Sequence, residues 1–239
     1  MKVKAIISAL MLMACGMASA QTKTYLNVET APGVYKSFEV NENLKISWGE
    51  KKELPPSTGT AKRTGDIDVN WVQLWKDGPK FAEYNVGAAN NKAEDYGGYY
   101  AWGGHTNKTN DSYTGSENLS GTYDTATNLW GSNWRMPTQA EFQALLNNEN
   151  CTCTWTNQDG VNGLLCTGYD AYSSNSVFLP AAGNYFNGRV SGQDGYGYYW
   201  SSTAIESYEA YYLGFRSGGR SVYPDDRYYG YSVRAVLAE

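Results

Sequence analysis

The chain has 239 residues, is 41% hydrophobic and 18% charged, and carries a net charge of -5, enough apolar content for one main domain and a small one. No basic run or stripe is present to displace counterions from phosphates, which excludes nucleic acid as a partner class. A single histidine and the absence of any Cys-x-x-Cys pair leave no zinc spacing, so neither a metal nor a cofactor is expected.

Residues 1–20 read as an export signal: Lys2 and Lys4 precede the apolar run Ala5 to Ala14, and small residues follow. The mature protein is therefore expected at a cell surface, in a periplasm or secreted. Two processing readings stand side by side. Ala18-Ser19-Ala20 before Gln21 is the better-formed small-x-small site. Leu12-Met13-Ala14-Cys15 resembles a lipobox, and acylation of Cys15 would be the one route to a membrane. No later segment is apolar over the length needed to span a bilayer.

Residues 21–49 predict a small β module, because polar and apolar residues alternate on both sides of Ala31-Pro32-Gly33 and again from Leu44 to Trp48. Residues 50–65, with Pro55, Pro56 and Gly59, read as a linker to the main domain at 66–239. There, Val69 to Trp75 alternates like a strand, Asp77-Gly78 is a turn, and Lys80 to Val86 returns. Residues 87–96 suggest a short helix, Gly97 to Gly104 is a glycine-bracketed aromatic patch, and residues 105–128 read as a polar surface loop. Thr138 and Glu141 form a capping box that opens a helix with Phe142, Leu145 and Leu146 inward. The runs Cys151 to Thr156 and Leu164 to Gly168 flank DGVNG as a hairpin, which sets Cys153 opposite Cys166 and permits a disulfide in an oxidising compartment. Ser176 to Pro180 is a short buried strand, and residues 181–197 are a Gly- and Asn-rich loop. Many short strands and one clear helix predict a strand-dominated α+β fold.

The stretch Tyr196 to Val236 holds ten of the 21 tyrosines, mixed with Ser, Gly, Arg and Asp, the composition of binding loops. Tyr211, Leu213 and Phe215 alternate with Tyr212, Gly214 and Arg216, which predicts a strand with one face inward. From Arg216 to Tyr231 no periodicity is visible, so its aromatics are expected at the surface. Tyr208, Tyr212, Tyr223, Tyr228, Tyr229 and Tyr231 would supply contact area, Arg216 and Arg220 forked donors, and Asp225 and Asp226 acceptors.

The ordered phrases FAEYNVGA, EDYGGYYAWGG, LWGSNWRMPTQAEFQALL, GVNG, VFLPAAG, GYYWSST and GYSVRAV resemble the Fibrobacter succinogenes major paralogous domain family from about Asp66 to Val236. That family is a group of exported proteins related to the formylglycine-generating-enzyme-like branch of the C-type lectin fold. The resemblance implies a C-type-lectin-like domain behind the small β module, with Trp134, Leu179 and Trp200 as scaffold. The enzyme branch needs a cysteine pair near the C-terminus, and no cysteine follows Cys166. The calcium-dependent sugar-binding loops E-P-N or Q-P-D are also missing.

The final stretch looks like the variable region of proteins diversified by retroelements, in which template adenines are mutated. The frame W-S-S-T, A-x-x-L-x-F, R-x-x-G-x-S-V-R stands as Trp200 to Thr203, Ala210, Leu213, Phe215, Arg227, Gly230 and Ser232 to Arg234. Between them lie residues reachable from Asn codons, among them Tyr208, Tyr212, Gly214, Arg216, Tyr223, Asp225 and Tyr231. The resemblance implies a non-catalytic protein that binds a protein or glycan ligand. A structural or adhesin subunit is the alternative, and glycoside hydrolysis by Asp225 with Glu206 or Glu209 is a weaker one.

Overall fold

The computed structural model describes residues 5–8, 24–31, 34–40 and 57–238. The chain divides into two units, Met1–Glu53 and Leu54–Glu239. The first contains one antiparallel sheet in the order β1 (Ala5–Ser8), β2 (Thr24–Ala31), β3 (Val34–Val40). The expected hairpin is β2–β3, paired from Thr24↔Val40 to Ala31↔Val34. Its third strand comes from within the expected export signal. The strand expected at Leu44 to Trp48, Cys15 and both processing sites lie outside the described residues.

The second unit runs β4 (Thr58–Arg63), β5 (Ile67–Gln73), β6 (Lys80–Ala82), α1 (Thr125–Trp130), β7 (Trp134–Arg135) and α2 (Gln139–Leu146). It continues with β8 (Cys151–Gln158), β9 (Val161–Gly168), β10 (Ser176–Pro180), β11 (Asn184–Phe186) and β12 (Arg189–Ser191). It ends with β13 (Tyr196–Ala204), β14 (Glu209–Arg216), β15 (Gly219–Asp226) and β16 (Val236–Leu237). The strands form sheets β4-β5-β6-β16-β7, β10-β9-β8, β11-β12 and β13-β14-β15, all paired antiparallel.

This architecture overturns the α+β, C-type-lectin-like expectation. The described residues hold sixteen strands and only two α-helices, of six and eight residues, and no C-type-lectin arrangement is present. Helices of two turns cannot cover a sheet face, so strands and the segments that connect them supply most of the core. The phrases that carried the resemblance report local events, a capping box and short pairings, which many topologies share. The linker expected at 50–65 is corrected in the same way. Thr58–Arg63 is a strand paired along β5, Ala61 packs on the core, and the Lys62 carbonyl accepts from the Trp134 indole at 3.0 Å. No helix forms at 87–96, where the Asp95 carboxylate instead gathers the Asn90 and Lys92 amides into a turn. Conversely, α1 rises from the expected loop, capped by Asp124, which accepts from the Thr127 amide at 2.9 Å. The expected loop at 181–197 contains the β11–β12 hairpin.

Local signals of short range give the elements they predict. Thr138 and Glu141 complete the capping box of α2, worth about 1 kcal/mol, and Phe142 and Leu145 are buried. Register β8–β9 sets Cys153 opposite Cys166 and a disulfide joins them, closing a loop whose constraint contributes about 3 kcal/mol. Cys151 stays a buried free thiol, pushed up to about 11 by desolvation.

The core of this unit has two clusters. Trp102, Trp134, Trp200, Tyr231 and Val233 centre one, and Leu74, Phe81, Phe142, Leu164, Leu213 and Phe215 the other. The β13–β14 pair serves both, because alternate residues point to opposite faces: Trp200, Ala210 and Tyr212 to the first, Tyr199, Leu213 and Phe215 to the second. Gly197 is required there, since a Cβ would sit 2.0 Å from the Phe215 ring.

Candidate functional site

The expected contact residues fall on or beside the β13-β14-β15 sheet, but not as one loop surface. Arg216 to Tyr231 is corrected from an aperiodic loop to the second half of a hairpin, with Gly219–Asp226 paired residue for residue to β14. The signal was hidden because Gly218-Gly219 and Pro224 interrupt a strand pattern that only the partner strand makes visible.

Register assigns each side chain to a face. Tyr196↔Arg216, Tyr198↔Gly214 and Trp200↔Tyr212 across β13–β14, then Tyr212↔Tyr223 and Ala210↔Asp225 across β14–β15, place these residues on one face. Gly197↔Phe215 and Phe215↔Arg220 occupy the other. Arg216 and Arg220, expected as a pair of donors, are thus separated. Arg216 stands with the tyrosines, whereas Arg220 borders α2 beside Leu146 and Asn147, and its charge is felt at Cys151.

The tyrosine face carries a connected array of rings. Tyr196 stacks on Tyr198 at 6.1 Å, Tyr198 on Tyr231 at 5.0 Å, and Tyr231 on Tyr229 at 5.9 Å. Tyr212 touches Tyr198, Tyr223 and Tyr231 at 5.8, 6.0 and 5.0 Å. At the far end Phe186 of β11 meets Tyr228 and Tyr229 at 5.5 and 4.9 Å. Each such pair adds about 0.5–1.5 kcal/mol beyond area burial, so the rings hold one another in place. Tyr223 is 49% exposed, Tyr196 42% and Tyr228 37%, while Tyr212 and Tyr229 are half-buried.

Tyr231 is corrected from a contact to a core residue: it is 2% exposed and packs on Trp200 at 4.5 Å. Its hydroxyl donates to the Asp225 carboxylate, and burial followed by that bond raises its ionisation far above the usual phenol. Asp226 likewise accepts from Tyr228 at 2.7 Å, raising the Tyr228 phenol. The other Asp225 oxygen accepts from the Asp226 amide at 2.9 Å. Both aspartates expected as ligand acceptors are therefore engaged in holding tyrosines. Tyr208 stands apart, 58% exposed in the β13–β14 connection, where Glu206 and then Glu209 raise its phenol. Asp225, expected as the partner of Glu206 or Glu209, has both oxygens hydrogen-bonded within the protein. Among the described residues no group of three or more His, Cys, Asp or Glu surrounds a point where a metal ion would sit.

A groove of ≈ 380 Å³ opens on this face, its lining including Tyr196, Tyr198, Tyr212, Gly214, Arg216 and Tyr223, with Arg220 at its border. Gly214 makes its floor: a Cβ would lie 2.9 Å from the Tyr212 ring and 3.3 Å from the Tyr223 ring. Burial first, then the Asp225 carboxylate and the phenols of Tyr198 and Tyr223, push Tyr212 up to about 12. Tyr196, Tyr198 and Phe186 were missed as contacts in the sequence. The period-two run Tyr196, Tyr198, Trp200 carried the signal for two of them, and Phe186 carried none because its hairpin reaches this face through the long-range Tyr185–Gly230 backbone pairing. A larger cavity of ≈ 500 Å³ lies by Thr58, Asn70, Glu83, Gln158 and Ser176. There Asn70 donates to Glu83 at 2.8 Å and Gln158 to Glu94, and the cavity lacks the exposed ring array, so the tyrosine groove is the better candidate.

Two buried arginines fasten the segment behind the array. Arg227 donates to the carbonyls of Glu209, Tyr113, Gly115 and Glu206 and stacks 3.9 Å over Trp102. Arg234 donates to Asn85 Oδ1 at 2.8 Å and to the carbonyls of Ala82, Glu83 and Phe178.

A family model described as a domain of unknown function, DUF8237, matches residues 155–236. The match spans β9 to the start of β16 and so includes the whole tyrosine face and both buried arginines. No curated protein and no solved structure matches the chain.

Proposed function

We propose that this chain is an exported, non-catalytic binding protein that presents its tyrosine face to a protein ligand. The observation that carries the reading is the ring array: Tyr196, Tyr223 and Tyr228 stay open to solvent while Trp200 and Tyr231 anchor them from below. An exposed, connected aromatic patch is costly for a free monomer, and rigid tyrosines give contact area with little loss of side-chain entropy. Export rests on the signal read in residues 1–20. Further support comes from the split of the C-terminal stretch. The frame residues Trp200, Ala210, Leu213, Phe215, Arg227, Gly230 and Ser232 to Arg234 are all buried, whereas of the positions between them Tyr208, Arg216, Tyr223 and Tyr228 are exposed and Gly214 and Tyr231 are buried. Exchange at the four exposed positions leaves the core untouched, as diversification by a retroelement requires.

Two experiments test the reading. Ligands selected from a displayed peptide or protein library against the full chain should lose binding to the Tyr223→Ala, Tyr228→Ala double variant while its Tm stays within a few degrees; unchanged binding refutes the site. The flanking DNA should hold a near-copy of the codons for Trp200 to Val236 that differs where the copy has adenine, beside a reverse-transcriptase gene. Its absence would reduce the proposal to a fixed binding domain.

A further inference from the structure

The polar groups of the groove are unevenly committed, and the imbalance specifies a ligand. The two carboxylates beside it, Asp225 and Asp226, are bound to Tyr231 and Tyr228. Arg216 has no ion pair among the described residues and lies on the tyrosine face, opposite Tyr196. The phenols of Tyr196, Tyr198, Tyr212 and Tyr223 have no hydrogen-bond partner there either, so the lining offers a guanidinium and a set of O–H donors with no free carboxylate. Such a lining suits an oxyanion, best a carboxylate that takes two bonds from the arginine fork.

The rings also discriminate between peptide and sugar. Tyr196 and Tyr198 lie 15° from parallel and Tyr198 and Tyr231 20°, so those ring faces cover one another and leave edges and hydroxyls outward. A sugar stacks on an open ring face, whereas an extended peptide needs edges, donors and a groove. Three adjacent strands give a width of about 10 Å, room for roughly three extended residues.

Resting on the binding reading above, we infer that the groove takes an extended acidic peptide segment of a partner protein, with one carboxylate seated on Arg216 between the free phenols. Arg220 also borders the groove, but the strand register roots it on the face opposite Arg216, beside α2, so Arg216 is the main seat.

Fluorescence anisotropy on the full chain tests this with three labelled six-residue peptides, valine alternating with glutamate, glutamine or lysine, and with unlabelled trigalacturonate as competitor. The glutamate peptide should bind about tenfold more tightly than the glutamine one, and the preference should shrink as salt is raised. Arg216→Gln should remove that tenfold preference, and Arg220→Gln, at the groove's border, should keep most of it; both side chains are exposed, and matching Tm values would show the variants folded. Equal binding of the three peptides, no binding of any, or equal loss in both arginine variants overturns the inference. Trigalacturonate displacing the glutamate peptide at lower concentration than unlabelled peptide overturns the choice of peptide. The underlying reading fails separately: it falls only if library-selected ligands ignore the Tyr223→Ala, Tyr228→Ala change.

Discussion

Arg216 and Arg234 belong to one tyrosine-rich stretch, yet one guanidinium stands in solvent on the β14–β15 hairpin and the other is fully buried in the returning segment. The same contrast separates Tyr223, 49% exposed, from Tyr231, 2% exposed. Residue type does not distinguish the two regions. Partners do: the return segment threads between strands whose carbonyls and rings receive its side chains, while the tyrosine face of the hairpin stays open to solvent. An exposed surface thus rests on a floor made of the same amino acids, and substitutions should tell the two apart by their cost.

The largest effect is expected at Arg234. Desolvation pushes its guanidinium down to about 10, and its donors satisfy Asn85 and three carbonyls. Arg234→Met should therefore destabilise by about 4–5 kcal/mol, read by urea unfolding, because it orphans those buried acceptors. Tyr231→Ala comes next, at about 3–4 kcal/mol, since it empties a site under Trp200 and frees Asp225. Tyr231→Phe keeps the ring and should cost about 1 kcal/mol. On the hairpin, Tyr223→Ala and Tyr228→Ala should each stay below about 1 kcal/mol; a larger loss in thermal melts would mean that the array is core rather than display.

The smallest effect is a titration. Tyr212 keeps its proton more tightly in the folded chain, to about 12 against an ordinary phenol near 10. Its contribution is therefore complete below pH ~10 and is lost as pH rises from there through about 12. Tyr212→Phe should flatten that alkaline limb of stability, and phenolate absorbance should show one fewer late-ionising group.

Legibility followed range. The capping box of Thr138 and Glu141 and the Cys153–Cys166 register were readable because the interacting residues lie within one turn or one hairpin. Strand β15 was not, because Gly218, Gly219 and Pro224 erase its pattern until β14 supplies the ladder. The candidate site was legible as a stretch but not as a face. Tyr212, Tyr223 and Arg216 share one face, whereas Tyr231 belongs to the core, Asp225 and Asp226 hold neighbouring tyrosines, and Arg220 borders α2 as well as the groove.

By itself the sequence determines the β2–β3 and β8–β9 hairpins, the helix cap, the disulfide pair and the tyrosine wealth of the C-terminal stretch, because periodicity, turn residues and short loops act between neighbours in the chain. Only the tertiary structure decides which tyrosines and which arginines face solvent. Those outcomes depend on carbonyls at Ala82, Tyr113, Phe178 and Glu209 and on rings at Trp102 and Trp200, brought together from distant segments. Burial is a property of that assembly, and no local pattern of residues encodes it.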